Sequence, residues 1–504
     1  MSSKPVSIHH LNSAAEAVAW LRARVQGDLQ TDSRKLQAGD GFIAWPGAAT
    51  DGRAYVAKAL EQGAAAVLVE AEGLEAFELA GDRIAALKGL KAATGLIADQ
   101  WFAHPSGEME VLAVTGTNGK TTTAWWLAHA LAKVELKART GCALVGTLGV
   151  GVPPALESTG MTTPDPVLLQ RVFRRYADAG LAACAIEASS IGIVEHRLDG
   201  TSIRVALFTN FTQDHLDYHG TMDAYWQAKT QLFDWPGLQA AVVNVDDPHG
   251  ARLWAKLQAK ALDVWSISIQ GPARLQAKDI SLDENGLAFT VLEAGHSLRM
   301  NTRLVGQYNV SNLLGVLAAL RSLGLTLEAA VAACADLEPV PGRMQQIARS
   351  GLPLVAVDYA HTPDALEKAL QALQPAARQR QGRLWCVFGC GGDRDNSKRP
   401  LMGQAAQTHA DCVLVTSDNP RSEVPERIID QILAGMREGE NLHVQVDRAA
   451  AIAEVLARAD ARDVVLIAGK GHEDYQETKG VRHPFSDMAE AQKALAVREG
   501  KMRS

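Results

Sequence analysis

Lys120 and Thr121 stand directly behind two glycines in the run Thr115-Gly-Thr-Asn-Gly-Lys-Thr-Thr122. Residues of those types in that order can hold a triphosphate. Gly116 and Gly119 have no Cβ, so the backbone can turn tightly and come close to a ligand. Thr117, Asn118 and Thr122 belong to the same phosphate-binding run. Lys120 supplies a point charge for β- and γ-phosphates, and Thr121 a hydroxyl for Mg²⁺. The match to the phosphate-binding-loop pattern is imperfect, since its first glycine would fall at Val114. The elements that must position the loop are present. Val111 to Val114 reads as a short buried strand, and Trp125 to Leu131 as an apolar helix. A strand, a glycine turn and a helix N-terminus together make an anion site from unpaired N–H groups and the positive dipole end.

Three further stretches carry candidate chemistry. Ala182-Ala-Cys-Ala-Ile-Glu187 ends a buried strand on a carboxylate, a hard oxygen ligand suited to Mg²⁺. Taken alone, Glu187 is equally a structural acid. Phe208 to His219 is dense in polar groups straight after a strand, and His215 and His219 could share a helix face. With no cysteine nearby, one functional histidine and one bystander fit better than a zinc pair. Lys229 lies among aromatics in Tyr225-Trp-Gln-Ala-Lys-Thr-Gln-Leu-Phe233. Spacing alone reads it as a surface lysine on an amphipathic helix; the alternative is a partly desolvated amine of lowered pKa.

Bulk properties restrict the setting. A chain of 504 residues implies three or four domains at about 150 residues each. With 47% hydrophobic and 21% charged residues it reads as a soluble globular protein. A net charge of −7 gives no nucleic-acid footprint. The six cysteines (142, 184, 334, 386, 390 and 412) are scattered and read as reduced. No signal peptide is evident, and no apolar run reaches the roughly 18 residues of a membrane span, so a cytoplasmic protein without membrane insertion is expected.

The elements fall into three units. Residues 1–107 read as a small α/β domain, in which Gly63 to Glu70 is a helix end running into a buried strand. His104-Pro-Ser-Gly107 reads as a linker, because Pro and Gly break the pattern. Residues 108–340 alternate strands at 111–114, 182–187, 205–209 and 241–245 with helices, which predicts a mostly parallel sheet. Ligands collect at the carboxyl ends of such strands, where the glycine turn, Glu187 and Asn210 to His215 all fall. Ser268 to Arg303 alternates polar and apolar residues and predicts an antiparallel insertion. Gln307 to Asn312 opens an Ala/Leu-rich helix. Pro339-Val-Pro-Gly-Arg343 reads as a second linker. Residues 341–504 form another α/β domain, with strands at 354–358, 384–389, 412–416 and 464–468.

Together these segments resemble the Mur ligases, ATP-dependent amino-acid-adding enzymes of peptidoglycan precursor synthesis. The resemblance runs through Thr115 to Thr122, Glu187-Ala-Ser-Ser190, Asn210-Phe-Thr-Gln-Asp-His-Leu-Asp-Tyr-His219, Ala228-Lys229, Gly306-Gln-Tyr-Asn-Val-Ser-Asn312, Gly342-Arg343 and Asp358-Tyr-Ala-His-Thr-Pro-Asp364. Order and spacing match along nearly the whole chain. Asp32-Ser-Arg34, Gly389-Cys-Gly-Gly-Asp-Arg-Asp395, Ser417-Asp-Asn-Pro-Arg421 and Gly469-Lys-Gly-His-Glu-Asp474 look most like members that add the third residue of the peptide. The resemblance implies a three-domain architecture and an acyl-phosphate mechanism, with ATP and Mg²⁺ as cofactors. Lys120 and Thr121 would hold phosphates and Mg²⁺, and Glu187 and His215 would complete the metal shells. Lys229 would carry CO₂ as a carbamate and ligate a second Mg²⁺. Asn309, Arg343 and Asp358 would contact the nucleotide, with His361 beside it. Ser33, Thr162, Thr163, Ser189, Glu195 and Arg197 would bind a UDP-N-acetylmuramoyl-dipeptide. Many relatives have His where Ile191 stands here, and Gln where Glu195 stands.

The motif Asp418-Asn419-Pro420-Arg421 resembles that of members taking meso-diaminopimelate. An Arg fork can grip the extra carboxylate that L-lysine lacks. Arg394, Gly469 and Glu473 would complete that pocket, with Glu473 accepting from the distal ammonium. Arg421 alone would read as a solvated loop residue. A monomer is expected, and the two linkers are expected to hinge as the third unit closes over the second. The rival readings are an L-lysine-adding or other Mur or folylpolyglutamate-type ligase, a P-loop ATPase without ligase activity, and an inactive scaffold. Lys229 and the Asp418–Arg421 loop speak against the plain ATPase, and intact Lys120, Glu187, His215 and Lys229 against the scaffold.

Overall fold

The computed structural model describes residues 8–47, 50–283 and 286–503. Three sheets follow one another along the chain, each with its own buried core. The first has five strands, all parallel, in the order His9–Leu11, Ile84–Leu87, Ala66–Glu70, Gly41–Ala44, Leu29–Gln30. Ala66–Glu70 and Ile84–Leu87 are buried at every residue, as parallel strands covered on both faces must be.

The second sheet has eleven strands. From Leu275–Asp283 to Cys142–Gly146 every pairing is parallel, and Glu110–Thr115 lies at the centre between Ala183–Glu187 and Val205–Phe208. Alternation along Glu110–Thr115 sends Leu112 and Val114 into the core under helices Lys120–Ala132 and Tyr308–Ser322. Val111 and Ala113 face the opposite core, under Pro166–Asp178 and Met222–Thr230. The chain leaves Glu110–Thr115 toward one edge and returns to fill the other side, so the strand ends at a switch point.

The segment Ser268 to Arg303 forms the expected antiparallel strands, and they continue the central sheet. Leu275–Asp283 pairs in parallel with Asp263–Ser268 through Ile267 and Ser268, and only then turns into an antiparallel meander with Gly286–Glu293 and His296–Asn301. Its polar–apolar alternation reflects one face laid on the central core, where Leu275, Phe289 and Val291 are buried. Strands Cys142–Gly146 and Asp263–Ser268 were not expected from sequence.

The third sheet has six strands in the order Gln345–Ile347, Leu354–Asp358, Val464–Ala468, Leu384–Phe388, Cys412–Val415, Leu442–Val444; only the first is antiparallel. A hairpin, Tyr475–Thr478 with Val481–Pro484, stands beside it. Arg448 and Asp487, both fully buried, are joined by two bonds of 2.7 Å and tie the last helix to the sheet.

Both expected linkers are pinned. Pro105 and Ser106 are buried in a 3-10 turn, and Ser106 Oγ accepts the Ser202 N–H at 2.9 Å. Trp126 Nε1 donates to the Glu338 carbonyl at 2.9 Å, just before the second. No helix among the described residues is long and apolar enough to cross a membrane.

Candidate functional site

The glycine turn after Glu110–Thr115 is held in the shape its residues permit. Gly116 has φ +146° and Gly119 φ +85°, both left-handed-side conformations that disfavour a Cβ. A Cβ on Gly116 would collide with Thr209 Oγ1, and one on Gly119 would sit 2.7 Å from Asn312 Oδ1. Gly119 opens helix Lys120–Ala132, so the dipole of that helix points into the turn. Asn118 N–H donates to Asn210 Oδ1 at 2.9 Å, and Thr117 Oγ1 to the Thr212 carbonyl at 3.1 Å, which ties the turn to the Asn210–His215 segment. Thr122 is buried in the first turn of the helix. Lys120 Nζ donates to the carbonyls of Gly116 and Thr117 at 2.9 and 2.8 Å. Burial lowers its pKa, and the Arg343 charge lowers it further against the pull of Glu187 and Asp214.

Glu187, 1% exposed, faces this loop from the next strand. Its Oε2 accepts from Thr121 Oγ1 at 2.9 Å, and its Oε1 accepts the Thr147 N–H at 2.7 Å. Thr121 and Glu187 therefore offer paired hard oxygens at a phosphate-binding loop, a donor set that fits Mg²⁺. Arg343, from the second linker, donates Nη2 to the same Thr121 hydroxyl at 3.1 Å.

Lys229 is the surprise of this region, because helical spacing had favoured a surface position. It is 1% exposed, donates to the Gly116 carbonyl at 2.7 Å and lies 4.3 Å from the Tyr225 ring centre. Burial drives its pKa well below the usual lysine value, and Lys120 adds to the effect. A neutral amine is what carbamate formation requires, so the residue fits that modification.

His215 takes a left-handed backbone, φ +53°, at the entrance to the short helix Leu216–His219. It packs edge-on to Tyr225, and burial lowers its pKa to about 3, keeping the ring neutral and able to donate a lone pair to a metal. His219 instead meets Ser190 Oγ at 2.9 Å. Asp214 is buried between units. Burial pushes its carboxyl up, but His361 at 3.5 Å, Lys398 at 3.4 Å and His215 outweigh that and hold it well below the usual range.

One cleft of about 1440 Å³ gathers most of these residues. It runs from the loop residues Thr117 to Thr122, past Glu187, Asp214 and His215, to Asn309, Arg343 and Asp358. Asn309 Nδ2 is turned to the Val305 carbonyl at 2.7 Å. Asp358 accepts from the N–H groups of Met344 and Ala360 at 2.7 and 2.8 Å, and burial raises its pKa. The opposite wall holds Thr162, Thr163, Ser189, Ile191 and Arg197. Thr163 Oγ1 donates to the Glu187 carbonyl at 2.8 Å and meets Ser189 Oγ at 2.9 Å, while Arg197 donates to the Thr163 carbonyl at 3.0 Å.

Ser33 and Glu195 do not line this cleft. Ser33 begins a 3-10 turn capped by Asp32; Thr31, two residues earlier, bonds Asp165 at 3.1 Å and so ties the turn to the central unit. Glu195 is engaged by Lys91 at 2.6 Å and by the Tyr218 hydroxyl at 2.5 Å.

The third unit brings together a second cluster. Arg421 has φ +51°, held there by hairpin contacts: its N–H donates to Glu477 O at 3.0 Å and its carbonyl accepts from Lys479 N–H at 2.6 Å. Its guanidinium donates to Gly392 O at 2.6 Å, and Gly392 in turn packs against Pro420. Asn419 Nδ2 reaches Glu473 Oε2 at 2.8 Å. Gly469, φ +119°, lies so near Asp418 that a Cβ would be 2.5 Å from Oδ2. Asp418, Asn419, Arg421, Gly469 and Glu473 lie outside the lining of the main cleft, whereas Arg394, exposed, belongs to its rim.

Sequence reasoning missed several participants. Thr147 follows an unexpected strand and bonds Glu187 and Thr162. Lys398 reaches Asp214 across units. Lys470 lies inside the Gly469 to Asp474 motif but drew no role; it is fully buried against Asn419 and Glu473. Only that motif could have flagged it.

Comparison with known proteins bears on this geometry. Family models described as Mur ligase family, catalytic domain, Mur ligase middle domain, and Mur ligase, glutamate ligase domain match residues 28–99, 114–320 and 342–471. A protein of Acidovorax sp. (strain JS42) named UDP-N-acetylmuramoyl-L-alanyl-D-glutamate--2,6-diaminopimelate ligase is 68% identical over 98% of this chain and 99% of its own. A protein of the same name from Janthinobacterium sp. (strain Marseille) is 47% identical over 98% and 99%. A solved structure of a ligase of that name superposes with a TM-score of 0.63 at 37% identity, covering 94% of this chain and 95% of its own. MurF from Acinetobacter baumannii, at 18% identity over 98% and 100% of the two chains, shares the fold with a TM-score of 0.66.

Proposed function

The chain belongs to the Mur ligase family, and we propose that it joins meso-diaminopimelate to the D-glutamyl γ-carboxyl of UDP-N-acetylmuramoyl-L-alanyl-D-glutamate, using ATP. The observation that carries this reading is the likeness, at 68% identity over almost the full length of both chains, to a ligase of that name. The cleft supports it from the chemical side, since a phosphate-type loop and a wall of hydroxyls face one space.

A carboxylate is a poor acyl donor to an amine at neutral pH. In the proposed reaction the substrate γ-carboxylate oxygen bonds to the γ-phosphorus, and the bond to the ADP oxygen breaks. The incoming ammonium loses one proton to solvent, the resulting amine adds to the acyl carbon and loses a second proton, and phosphate leaves with the oxygen that joined it to that carbon. The turn from Gly116 to Thr122 would cradle the phosphates, with Lys120 released from its loop carbonyls to offset phosphoryl charge. Thr121, Glu187, His215 and Lys229, the last as a carbamate formed with CO₂, would hold Mg²⁺, which when bound neutralises charge on the phosphoryl oxygens. Arg343, already bonded to Thr121, would follow the nucleotide with Asn309 and Asp358. Ser33, Thr162, Thr163, Ser189 and Arg197 would orient the UDP-sugar-peptide. Asp418, Asn419, Pro420, Arg421, Gly469, Glu473 and Arg394 would bind diaminopimelate. Contacts between units, such as Asn118 to Asp364 at 3.0 Å and Gln213 to Ser397 at 2.9 Å, would help keep water from the acyl phosphate. Division at about residues 107 and 340, a monomeric state and a cytoplasmic location complete the reading.

Phosphate release tests it directly. Purified protein is given ATP, Mg²⁺ and the UDP-dipeptide with meso-diaminopimelate, with L-lysine, or with no amino acid. Release that requires diaminopimelate, with a matching tripeptide product, is expected. Release with L-lysine alone would keep the ligase and overturn the amino-acid assignment; release without any amino acid would make it a plain ATPase.

A further inference from the structure

We propose that Lys470 is a positioning residue that sets the polarity of the amino-acid pocket and favours a ligand bearing a second carboxylate; the inference rests on the diaminopimelate reading above. Lys470 follows strand Val464–Ala468 and is 0% exposed. An ammonium removed from water is tolerated only when paired and hydrogen-bonded. Its Nζ donates to Asn419 Oδ1 at 2.9 Å and to Glu473 Oε2 at 3.0 Å, and Asp418 Oδ1 stands 3.7 Å away. All three partners are proposed pocket residues. Lys470 itself is sealed behind them, so it acts through them.

These contacts fix directions. Asn419 Oδ1 also accepts the Glu477 N–H at 2.9 Å. An atom that accepts from two donors is the carbonyl oxygen, so the orientation of the carboxamide follows from Lys470 and Glu477. Nδ2 then donates to Glu473 Oε2 at 2.8 Å and keeps a second N–H for a ligand carboxylate. Glu473 Oε2 is taken by Lys470 and Asn419, which turns Oε1, 3.5 Å from the Tyr359 hydroxyl, toward an incoming ammonium. One buried cation thus makes one part of the pocket a donor and another an acceptor. That suits an end group carrying both carboxylate and ammonium. Without the cation the pocket is one unit more negative and better matched to an amine alone.

The test compares wild type, Lys470→Met, Glu473→Gln and the double variant in ligation with meso-diaminopimelate and with L-lysine, recording the KM for ATP alongside. Lys470→Met is expected to raise the diaminopimelate KM by about 30-fold or more, to lower the ratio of diaminopimelate to L-lysine use, and to leave the ATP KM near its original value. A purely structural residue would not move that ratio. In the Glu473→Gln background Lys470 still orients Asn419, so the double variant is expected to raise the diaminopimelate KM further, by less than Lys470→Met does alone, and to lower the ratio of diaminopimelate to L-lysine use. If Lys470→Met fails to fold, that pair still decides: an equal ratio in Glu473→Gln and the double variant overturns the proposal. So does an unchanged ratio in folded Lys470→Met. A wild-type protein that ligates L-lysine alone overturns the diaminopimelate reading, and this inference with it, before any variant is made.

Discussion

Lys229 and Lys470 are the most deeply buried lysines among the described residues, and their surroundings are opposite. Lys229, in the central unit, has a carbonyl at 2.7 Å and the Tyr225 ring for neighbours. Lys470, in the third unit, has Asn419, Glu473 and, a little farther, Asp418. A carbonyl and a ring face stabilise an ammonium far less than carboxylates do, so burial favours the neutral amine at Lys229 and a fixed ion pair at Lys470. The difference separates two uses of one side chain. One is an amine made available for reaction, and the other a cation used to orient its neighbours.

The largest effect should come from the first of the pair. Lys229→Met would remove the amine that takes up CO₂, and ligation is expected to fall by roughly 10,000-fold or more while folding persists, since Met suits an apolar pocket. Wild-type activity should fall in CO₂-depleted buffer and return with bicarbonate. A variant that ligates normally, or a wild type indifferent to bicarbonate, would erase the contrast between the two lysines.

Arg421→Ala tests the other region. Arg421 stands two residues after Asn419, donates its guanidinium to the Gly392 carbonyl and is proposed to grip the second carboxylate. Its loss is expected to lower kcat/KM for diaminopimelate on the order of 1,000-fold, with nucleotide binding unchanged by titration calorimetry. Equal losses for nucleotide and amino acid would mean that the two regions are not separate sites.

The phosphate loop was legible because a strand, two glycines and Lys-Thr are local in sequence, and Glu187 because it ends a continuous apolar run. Burial of Lys229 was not legible from spacing, since helix Met222–Thr230 has polar residues on several sides and only the fold decides which one faces Gly116. His215 and Arg421 occupy left-handed backbone positions that their residue types do not announce. The partners of Lys470 lie 51 residues away and three residues away, and only the sheet brings Asn419 and Glu473 to one point. The antiparallel meander was legible from its alternation, but its parallel attachment to Asp263–Ser268 was not, because alternation within a segment does not say which strand its edge joins.

Histidines sharpen the comparison at intermediate size. Burial lowers His215 to about 3 in the central unit and His472 to about 4 in the third. Both folded values lie below the unfolded value of 6.5, so the unfolded chain binds more protons as pH falls. Stability is therefore lost from pH 6.5 downward, to about pH 4 for His472, by up to about 3 kcal/mol. His472→Gln should flatten the acid limb of the thermal midpoint over that window. An unchanged acid limb would show that His472 is solvated in the native state.

The smallest effect is expected at a third lysine, which serves as the solvated control. Lys91 pairs with Glu195 at 2.6 Å between the first and central units, but its side chain is 33% exposed. Burial raises the Glu195 carboxyl, and bonds from Lys91 and Tyr218 outweigh this and lower it overall. A lowered folded value means that the stabilisation is present above the unfolded value and is lost as pH falls through the folded one. An exposed pair of this kind contributes less than about 1 kcal/mol and is screened by salt. Glu195→Gln should shift the thermal midpoint slightly at low salt and not at all at high salt. It should also leave the KM for the UDP-dipeptide nearly unchanged, because both carboxylate oxygens of Glu195 are held by Lys91 and Tyr218. A large rise in that KM would instead make Glu195 a substrate contact. Lys91 would then belong with Lys470, as a cation that orients a carboxylate for a ligand.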